Sequence, residues 1–460
     1  MKKGYVLPVF LAALGLSQAF AQSTVLIGNT TVEIDTVYTG LDIPWEITYG
    51  PDDHLWITER KGLVSRIDPV AKTRTPILDI TGQVYQQSES GLLGMALHPD
   101  FPAVPDVFLV YTFGSSGDIY ERLVRYSYNG TTLGSPQVLI DSIPGNTTHD
   151  GSRLAFLPDK TLLMSTGDAQ NTSLPQNMSS LNGKVLRLAA GGTPPGDNPF
   201  PGSYVYTLGH RNMQGLVVAN GRVYASEHGA TSDDEIQVLE AGRNYGWPDV
   251  EGYCDQPSEN TFCNDHNVAE PIHAWTPTIA PSGMDYYANP EFPEFDHSLL
   301  LAVLKDKKLA VLKLNPAGDQ VLSEDLYFVN QFGRLRDVCV GAHREIYLAT
   351  NGPLSANTEP NTHSIIVLKP PFVNSLEEAA GKTAPRLYPN PFTGRVYLED
   401  PGNSAPDRLL VKDMQGRVCA DVKISQASSG IDLQQLAPGV YIMHLYRDGK
   451  EISVQKTVRR

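Results

Sequence analysis

Cysteine is scarce in this sequence, with four residues among 460. So few cysteines exclude a fold that depends on many disulfide bonds, and their spacing matches no zinc-binding pattern. Cys254 and Cys263 bracket a short polar loop that a disulfide bridge would staple. Cys339 lies in an apolar, strand-like run, where a buried free thiol is expected, and Cys419 belongs to the C-terminal region.

Positive charge is outweighed by negative charge along the chain. Lysine and arginine number 36 against 51 aspartate and glutamate residues, so the formal net charge is -15 at pH 7. A chain this acidic has no long-range attraction for nucleic acid, and we expect no nucleic-acid partner. Local positive pockets remain compatible with this balance.

Long apolar runs are absent except near the N-terminus. Lys2 and Lys3 precede an apolar stretch at residues 6–16, and Ala19, Phe20 and Ala21 form a small-residue cleavage motif. This order predicts a secretory signal peptide over residues 1–21, because the apolar stretch is too short to span a membrane. We therefore expect an exported protein without a membrane span.

A hairpin signature recurs six times, at intervals of roughly 50–70 residues. Each copy is an apolar run, a turn and a second apolar run, and convincing amphipathic helices are absent between copies. The copies read WEITYGPDDHLWITER, LGMALHPDF…VFLVYTF, SRLAFLPDKTLLMSTGD, QGLVVANGRVYASEHG, SGMDYYANPEF…HSLLLAVLK and RDVCVGAHREIYLATN. The repeat predicts an all-β fold, a six-bladed β-propeller over residues 32–371. Unrelated hairpins in a sandwich are the alternative, but sandwiches seldom repeat one signature.

The composition and pattern of the sequence change after the sixth copy of the repeat. Residues 372–385 are rich in small and acidic residues and follow a proline pair, which indicates a linker. Residues 386–460 alternate apolar and polar residues between QG and DG turns. This pattern predicts a small immunoglobulin-like β-sandwich as the second domain.

Polar residues that border the repeated strands are candidates for a site at the propeller pore. They include His149, Asp168, His210, Arg211, Asn212, Lys305, Arg334 and Arg336. Paired with Asp168 as an orienting carboxylate, His149 is a candidate general base, although a lone histidine is more often structural. Any one of the cationic side chains, taken alone, more often forms an ion pair on the protein surface. Together, in an acidic protein, they indicate a pocket for a polyanion.

The stretch SEHGATSDDEIQVLEAGRNYGWP at residues 226–248 combines an acidic cluster with a sharp glycine turn. It does not match the D-x-[DN]-x-[DN]-G calcium loop. Calcium also binds carbonyl and carboxylate oxygens in irregular loops, so a cation site and a solvated loop are both compatible with the residues.

Over most of residues 40–350 the chain resembles the soluble quinoprotein sugar dehydrogenases, which oxidise glucose and other aldoses with pyrroloquinoline quinone. The resemblance lies in ESGLLGMALHPDF, GSRLAFLPD, GKVLRL…GDNPF, LGHRNMQGL, SEHGATSDDE, AGRNYGWP, PTIAPSG and GRLRDV, in the family's order. It implies a calcium-dependent enzyme that takes hydride from the C1 carbon of a sugar, gives a lactone and passes electrons to an external acceptor.

The resemblance also implies roles for individual residues. His149 is the implied base, supported by Asp168, and Arg211 and Asn212 lie beside the reactive quinone carbonyl. Lys305, Arg334 and Arg336 match cations that hold the cofactor's carboxylates. The implied calcium ligands are Gly229 and Ala230 on the cofactor side, Glu235 and Tyr245 in one structural site, and Glu251, Tyr253 and Asp255 in another.

Four positions depart from the family's pattern. Glu89 stands near the cofactor where the glucose enzymes carry glutamine, and Thr148 stands where they carry aspartate. Thr276 replaces an aromatic residue over the substrate, and Ala230 replaces a proline. These departures bear on substrate identity and catalytic strength more than on cofactor binding.

The motifs LYPNPF, DMQGR, LAPGVYIMHL and KTVRR resemble the C-terminal sorting domain of type IX secretion cargo. This resemblance implies the type IX machinery as a partner, passage through the periplasm, and then release or attachment at the cell surface. Two other functions stay open: a catalytically silent propeller that binds a glycan or protein, and a calcium-dependent lactonase. The base together with three cations favours the dehydrogenase.

Overall fold

The computed structural model describes residues 23–352, 363–370, 385–399, 406–413, 417–424, 430–447 and 449–459. The chain divides into two compact units, Met1–Pro370 and Pro371–Arg460. The predicted signal peptide at residues 1–21, and the predicted linker apart from residue 385, lie outside the described residues.

The first unit is built almost entirely of β-strands. In chain order they are β1 (Ser23–Ile27), β2 (Thr30–Tyr38), β3 (Pro44–Tyr49), β4 (Leu55–Glu59), β5 (Leu63–Asp68), β6 (Thr73–Asp79), β7 (Leu92–Leu97), β8 (Asp106–Ser115), β9 (Asp118–Tyr128), β10 (Leu133–Pro144), β11 (Gly151–Phe156), β12 (Thr161–Thr166), β13 (Lys184–Ala189), β14 (Val205–Leu208), β15 (Met213–Ala219), β16 (Arg222–Glu227), β17 (Asp234–Val238), β18 (His273–Trp275), β19 (Pro281–Tyr287), β20 (Ser298–Val303), β21 (Lys308–Leu314), β22 (Val321–Tyr327), β23 (Arg334–Val340), β24 (Ile346–Asn351) and β25 (Ile365–Lys369).

In the described part of this unit the strands form six antiparallel sheets. Five have four strands in sequence order, β3–β6, β7–β10, β11–β14, β15–β18 and β19–β22. The sixth runs β1-β2-β25-β24-β23, so strands from the beginning and the end of the unit share one sheet. The first strands contact one another in the closed order β3, β7, β11, β15, β19, β23 and back to β3.

The six repeated segments form the hairpins that begin the six sheets, as the sequence predicts. Every hairpin also contains a register shift near the start of its first strand, for example between Pro44 and Glu46 or between Leu92 and Met95. Such β-bulges bend a strand and redirect its side chains. The sequence pattern does not reveal them.

The hydrophobic core is divided into layers between successive sheets. In β8, Val107 and Leu109 pack with the preceding sheet, whereas Phe108 and Val110 pack with the following one. Alternate side chains of a strand point to opposite faces, so a wholly apolar strand covers two neighbours at once. This arrangement explains the continuous apolar runs that mark the repeats.

The segment between Cys254 and Cys263 differs from the polar loop that the sequence predicts. It enters a helix, α1 (Pro257–His266), with proline in its first turn and a reciprocal capping box between Gln256 and Glu259. These features favour helix initiation although the helix has no buried residue. The predicted bridge between Cys254 and Cys263 is present, and Cys339 is a buried free thiol.

The second unit contains two antiparallel sheets in its described residues. Its strands are β26 (Arg386–Tyr388), β27 (Arg395–Glu399), β28 (Arg408–Asp413), β29 (Val418–Lys423), β30 (Ile431–Asp432), β31 (Gly439–Arg447) and β32 (Lys450–Arg459). The sheets β26-β27-β30 and β29-β28-β31-β32 share one core that includes Phe392, Val396, Val411 and Met443. Among the described residues of the whole chain, no helix has the length and apolarity to cross a membrane.

Candidate active site

The predicted site residues gather at one end of the first unit. In an antiparallel hairpin the start of the first strand and the end of the second lie side by side. His149, Arg211 and Asn212 precede or approach first strands, whereas Asp168 and Lys305 follow second strands. Hairpin geometry, repeated around the ring, therefore brings residues that are distant in sequence to the same end.

His149 and Asp168 form the best-defined contact of the site. Nδ1 of His149 lies 2.8 Å from Oδ1 of Asp168, and the other carboxylate oxygen accepts a hydrogen bond of 2.9 Å from Nε1 of Trp247. Asp168 is 1 % exposed, so its orientation is fixed by these partners. Gly167 is required beside it, because a Cβ there would lie 1.8 Å from the carbonyl oxygen of His149.

Arg211 and Asn212 lie on the neighbouring hairpin. The guanidinium of Arg211 donates to the carbonyl of His228 at 3.2 Å and lies 5.3 Å from the ring centroid of Trp247. Asn212 is buried, and its Oδ1 accepts from Gly151 N at 3.3 Å. Its Nδ2 has no hydrogen-bond partner, which leaves one buried donor for a ligand.

Arg336 is the most buried of the predicted cations, at 3 % exposure. Its Nη1 donates to Gln214 Oε1 at 2.6 Å, and burial lowers its pKa to about 9, with Arg60 and Arg334 contributing. Simple alternation does not set its direction, because the register shift in β23 falls between Leu335 and Asp337. The exposed Lys305 donates to the carbonyl and hydroxyl of Thr278 at 2.7 and 2.9 Å.

Glu89 and Arg60 add a carboxylate and a further guanidinium to this end of the unit. The Glu89 carboxylate contacts the backbone amide of His149 at 3.5 Å. Sequence reasoning missed Arg60, which is 2 % exposed and has no hydrogen-bond partner at Nε or Nη1. Its position in the sequence could have identified it, because Arg60 follows the second strand of the first repeat, just as Asp168 and Lys305 follow the second strands of their own repeats.

The loop after β16 holds the predicted cofactor-side cation ligands, Gly229 and Ala230. Gly229 N donates to Asp234 Oδ1 at 2.8 Å, while Asp234 Oδ2 accepts from Ile279 N and Ala280 N at 2.6 and 2.7 Å. Asp234 thus fixes the loop to the next sheet. A Cβ at Gly229 would lie 1.9 Å from the carbonyl oxygen of Ser232, so the turn requires glycine.

Glu235 faces Glu227 across the β16–β17 ladder. Burial, followed by the charge of Glu227, raises the pKa of Glu235 to about 8. Gln237 Oε1 is buried without a hydrogen-bond partner, and these three residues line a cavity of about 20 Å³, the size of one water or ion. Glu227 and Gln237 are not among the site residues that the sequence predicts.

Among the other predicted structural calcium ligands, Tyr245 and Glu251 line the same small cavity as Glu235, whereas Tyr253 and Asp255 do not. Tyr245 is buried and donates its hydroxyl to the carbonyl of Val238 at 2.7 Å. Glu251 is half-buried, and the next residue, Gly252, donates to Glu235 Oε1 at 2.9 Å. Tyr253 and Asp255 are exposed. Among the described residues, no group of three or more His, Cys, Asp or Glu side chains is arranged to hold a metal ion.

Two of the departing residues are tied to neighbouring loops. Thr148 accepts a hydrogen bond from Gln170, and Thr276 donates to Asp233 Oδ1 at 2.8 Å. Asp233 therefore restrains the strand that follows α1. Position 276, where the resemblance implies an aromatic residue, thus carries a polar link to Asp233.

A buried charge cluster lies behind the site on the inner strands. Arg153 Nη1 pairs with Glu46 Oε2 at 2.7 Å and with Asp337 Oδ2 at 2.9 Å, and its guanidinium lies 4.1 Å from the ring centroid of Trp45. A cavity of about 820 Å³ opens at the opposite, hairpin-turn end and contains none of the predicted site residues. Glu46 of this cluster also lines that cavity.

Comparison with known proteins matches both parts of the chain to described families. Residues 41–356 match the family model described as glucose/sorbosone dehydrogenase, and residues 386–459 match the secretion system C-terminal sorting domain. Quinoprotein glucose dehydrogenase B of Acinetobacter calcoaceticus is 36 % identical over 48 % of this chain and 53 % of its own length. The aldose sugar dehydrogenase YliI of Escherichia coli is 28 % identical over 70 % of this chain and 90 % of its own.

A solved structure gives the same result. The pyrroloquinoline quinone-bound aldose sugar dehydrogenase of Streptomyces coelicolor is 32 % identical, with a TM-score of 0.64 over 74 % of this chain and 98 % of that one. The aldose sugar dehydrogenase of Escherichia coli in its apo form gives a TM-score of 0.64 at 26 % identity, over 74 % of this chain and 99 % of that one.

Proposed function

The chain belongs to the glucose/sorbosone dehydrogenase family and has a type IX secretion sorting domain, and on this basis we propose that it is an exported, calcium-dependent quinoprotein. It oxidises the C1 hydroxyl of an aldose to a lactone. The observation that carries the proposal is the contact of His149 with the buried Asp168 at the end of the unit that also holds Arg211 and Arg336.

The residues at this end suit an anionic quinone. Pyrroloquinoline quinone carries three carboxylates, and the buried donors of Asn212 Nδ2 and of Arg336 are suitable partners for carboxylate and carbonyl oxygens. Lys305 and Arg334 would hold further carboxylates. The whole chain has a net charge of -15, so a local excess of cationic side chains is not expected on a surface without a ligand-binding role.

The neighbouring acidic loop suits calcium. Calcium prefers carboxylate, amide and carbonyl oxygens, and Glu227, Glu235 and Gln237 present such atoms around the small cavity. The carbonyls of Gly229 and Ala230 would ligate a cofactor-side ion. We propose Tyr245, Glu251, Tyr253 and Asp255 as ligands of structural calcium, with the exposed members completing a site at the surface.

Within this proposal, His149, Asp168 and Arg211 each have one role in sugar oxidation. The bound quinone supplies the carbon that accepts hydride from the sugar. His149 takes the C1 hydroxyl proton on Nε2, because Nδ1 faces Asp168. Asp168 holds the ring in that orientation and stabilises the imidazolium, while Arg211 places positive charge where negative charge develops.

We further propose that the six sheets are the blades of a six-bladed β-propeller. The closed contact order of their first strands supports this count. We propose residues 1–21 as a signal peptide, residues 372–385 as a linker and the C-terminal unit as an immunoglobulin-like sandwich. Passage through the periplasm would then precede release or surface attachment.

The test is a calorimetric titration of the calcium-loaded protein with pyrroloquinoline quinone, followed by an aldose and an artificial electron acceptor. We expect binding and acceptor reduction, with reduction lost by about 100-fold or more in His149→Ala while quinone binding persists. His266→Ala, on the exposed helix α1, is the matched control. A folded, calcium-loaded protein that does not bind the quinone would refute the proposal and favour a binding module.

A further inference from the structure

Arg60 occupies a fixed position at the site end of the first hairpin. Its backbone N donates to the carbonyl of Ile43 at 3.2 Å, and its carbonyl accepts from Leu92 N at 2.8 Å. The following sheet closes over it, because a Cβ on Gly91 would lie 2.4 Å from the Arg60 carbonyl oxygen. These contacts connect Arg60 to the segment that carries Glu89 and exclude a mobile surface position.

The side chain of Arg60 is buried without the partners that a buried guanidinium requires. It is 2 % exposed, and neither Nε nor Nη1 has a hydrogen-bond partner. Within the described part of the chain, no carboxylate lies within ion-pairing distance of it, unlike Arg153, which has two. A buried charge without partners destabilises a folded protein, so such a residue needs a separate explanation.

The charges of neighbouring residues also act on the buried guanidinium of Arg60. Burial, with a smaller contribution from the charge of Arg334, lowers the pKa of Arg60 to about 10, whereas the charges of Glu89 and Asp42 act in the opposite direction. Arg336 is affected in turn by both Arg60 and Arg334. Arg60, Arg334 and Arg336 therefore carry like charges that act on one another, and the charge of Glu89 acts on both Arg60 and Arg336. An anionic ligand would relieve the repulsion among the three guanidiniums.

We infer that Arg60 is a further cofactor contact, donating Nε and Nη1 to an anionic oxygen of the bound quinone beside the groups that Arg334 and Arg336 hold. The inference rests on the proposed function and adds a cation that the family resemblance did not assign. This role explains why Nε and Nη1 of Arg60 have no hydrogen-bond partner in the protein, because both atoms would donate only when a ligand is bound.

A structural role for Arg60 makes the opposite prediction about stability. If Arg60 stabilises the ring, its replacement lowers the melting temperature of the ligand-free protein. If Arg60 is kept for an anion, Arg60→Met removes a buried, unpartnered charge and leaves the melting temperature unchanged or higher. The two roles are therefore distinguishable without any measurement of activity.

The experiment compares wild type, Arg60→Met, Arg60→Gln and Arg60→Lys, all loaded with calcium. Melting temperature is measured without the quinone, and the Kd for pyrroloquinoline quinone is measured by calorimetry. We expect Met and Gln to weaken binding about tenfold to 100-fold, and Lys to weaken it less because it keeps the charge. Lys61→Gln, which removes an exposed neighbouring cation, is the matched control and should bind as wild type does.

Each outcome has a distinct meaning. Wild-type affinity in both Arg60→Met and Arg60→Gln overturns the inference and leaves the proposed function intact. A fall in melting temperature for all three variants assigns Arg60 a structural role and also overturns it. Failure of wild type itself to bind the quinone refutes the proposed function and the inference together.

Discussion

His149 Nδ1 and Asp168 Oδ1 are 2.8 Å apart, and this contact joins the loop before β11 to the end of β12 in the same hairpin. The ring of His149 is therefore held by its own sheet. Trp247, which belongs to the next sheet's loop, fixes the second oxygen of Asp168. The contact occupies Nδ1, so Nε2 is the ring nitrogen to which the proposed function assigns the proton transfer. This assignment leads to the first prediction.

Asp168→Asn should slow sugar oxidation by about 100-fold or more, because an amide does not stabilise the imidazolium or select the same tautomer. The Kd for the quinone should stay within about twofold, since Asp168 is buried behind His149. Trp247→Phe keeps an aromatic ring but removes the indole N–H that donates to Asp168, while the carboxylate itself remains, so its effect should be smaller. Steady-state kinetics and calorimetry on the same samples measure both quantities. An Asp168→Asn enzyme with wild-type kcat would contradict the assigned role.

Glu89→Gln should tighten quinone binding by about three- to tenfold, because it removes a negative charge from a pocket that receives an anion. Calorimetric titration at low ionic strength is the measurement, with Glu291→Gln on an exposed loop as the charge-matched control. Weaker binding would indicate instead that the carboxylate of Glu89 positions a cation.

Removal of calcium with a chelator should lower the melting temperature by about 5–10 °C, because Glu227 and Glu235 are then left facing each other without a cation. Added calcium should restore it. Glu235→Gln should shrink the shift, whereas Glu259→Gln on helix α1 should leave it unchanged. Scanning calorimetry with and without chelator measures the effect. Equal shifts in wild type and Glu235→Gln would remove Glu235 from the site.

The raised pKa of Glu46 leads us to expect that the stability of the protein depends on pH. Burial raises its pKa from 4.5 to about 8, and the charge of Asp337 also raises it while Arg153 lowers it. Between these values the folded protein keeps a proton that the unfolded chain has lost. The free energy of unfolding therefore decreases as pH rises through this window, by up to about 1.4 kcal/mol per pH unit.

Glu46→Gln should flatten this dependence, since glutamine does not titrate and its side-chain oxygen still faces Arg153. The measurement is the melting temperature of both proteins from pH 5 to pH 8, with Glu291→Gln as control. If the variant and wild type lose stability in parallel over this range, the proton does not reside on Glu46.

The sequence predicts the hairpins well because each is a local pattern: two apolar runs joined by a short turn. It also identifies His149 and Asp168 together, since both flank strands of one repeat. Arg60 obeys the same positional rule and was missed because the first repeat offered no family motif around it. Glu227 was missed because it ends an apolar strand, where its facing partner on β17 is not visible from the sequence.

Other features depend on long-range geometry and have no local signature. The register shift in β23 falls at Arg336, between the ladder positions of Leu335 and Asp337, and a β-bulge of one residue leaves no local signature in the sequence. Helix α1 has no buried face, so hydrophobic periodicity does not reveal it. Its capping box and first-turn proline were the available signals.

The pairing of β2 with β25 also constrains the order in which the chain can fold. Residues 30–38 must wait for residues 365–369 to be synthesised before their ladder can form, so the sixth sheet closes last. Until then β2 presents an unpaired edge, which is a site for intermolecular strand pairing. Contacts of such long sequence separation form slowly. A chain shortened before Ile365 would lack the strand that completes the ring, and we expect it to aggregate instead of forming a smaller stable unit.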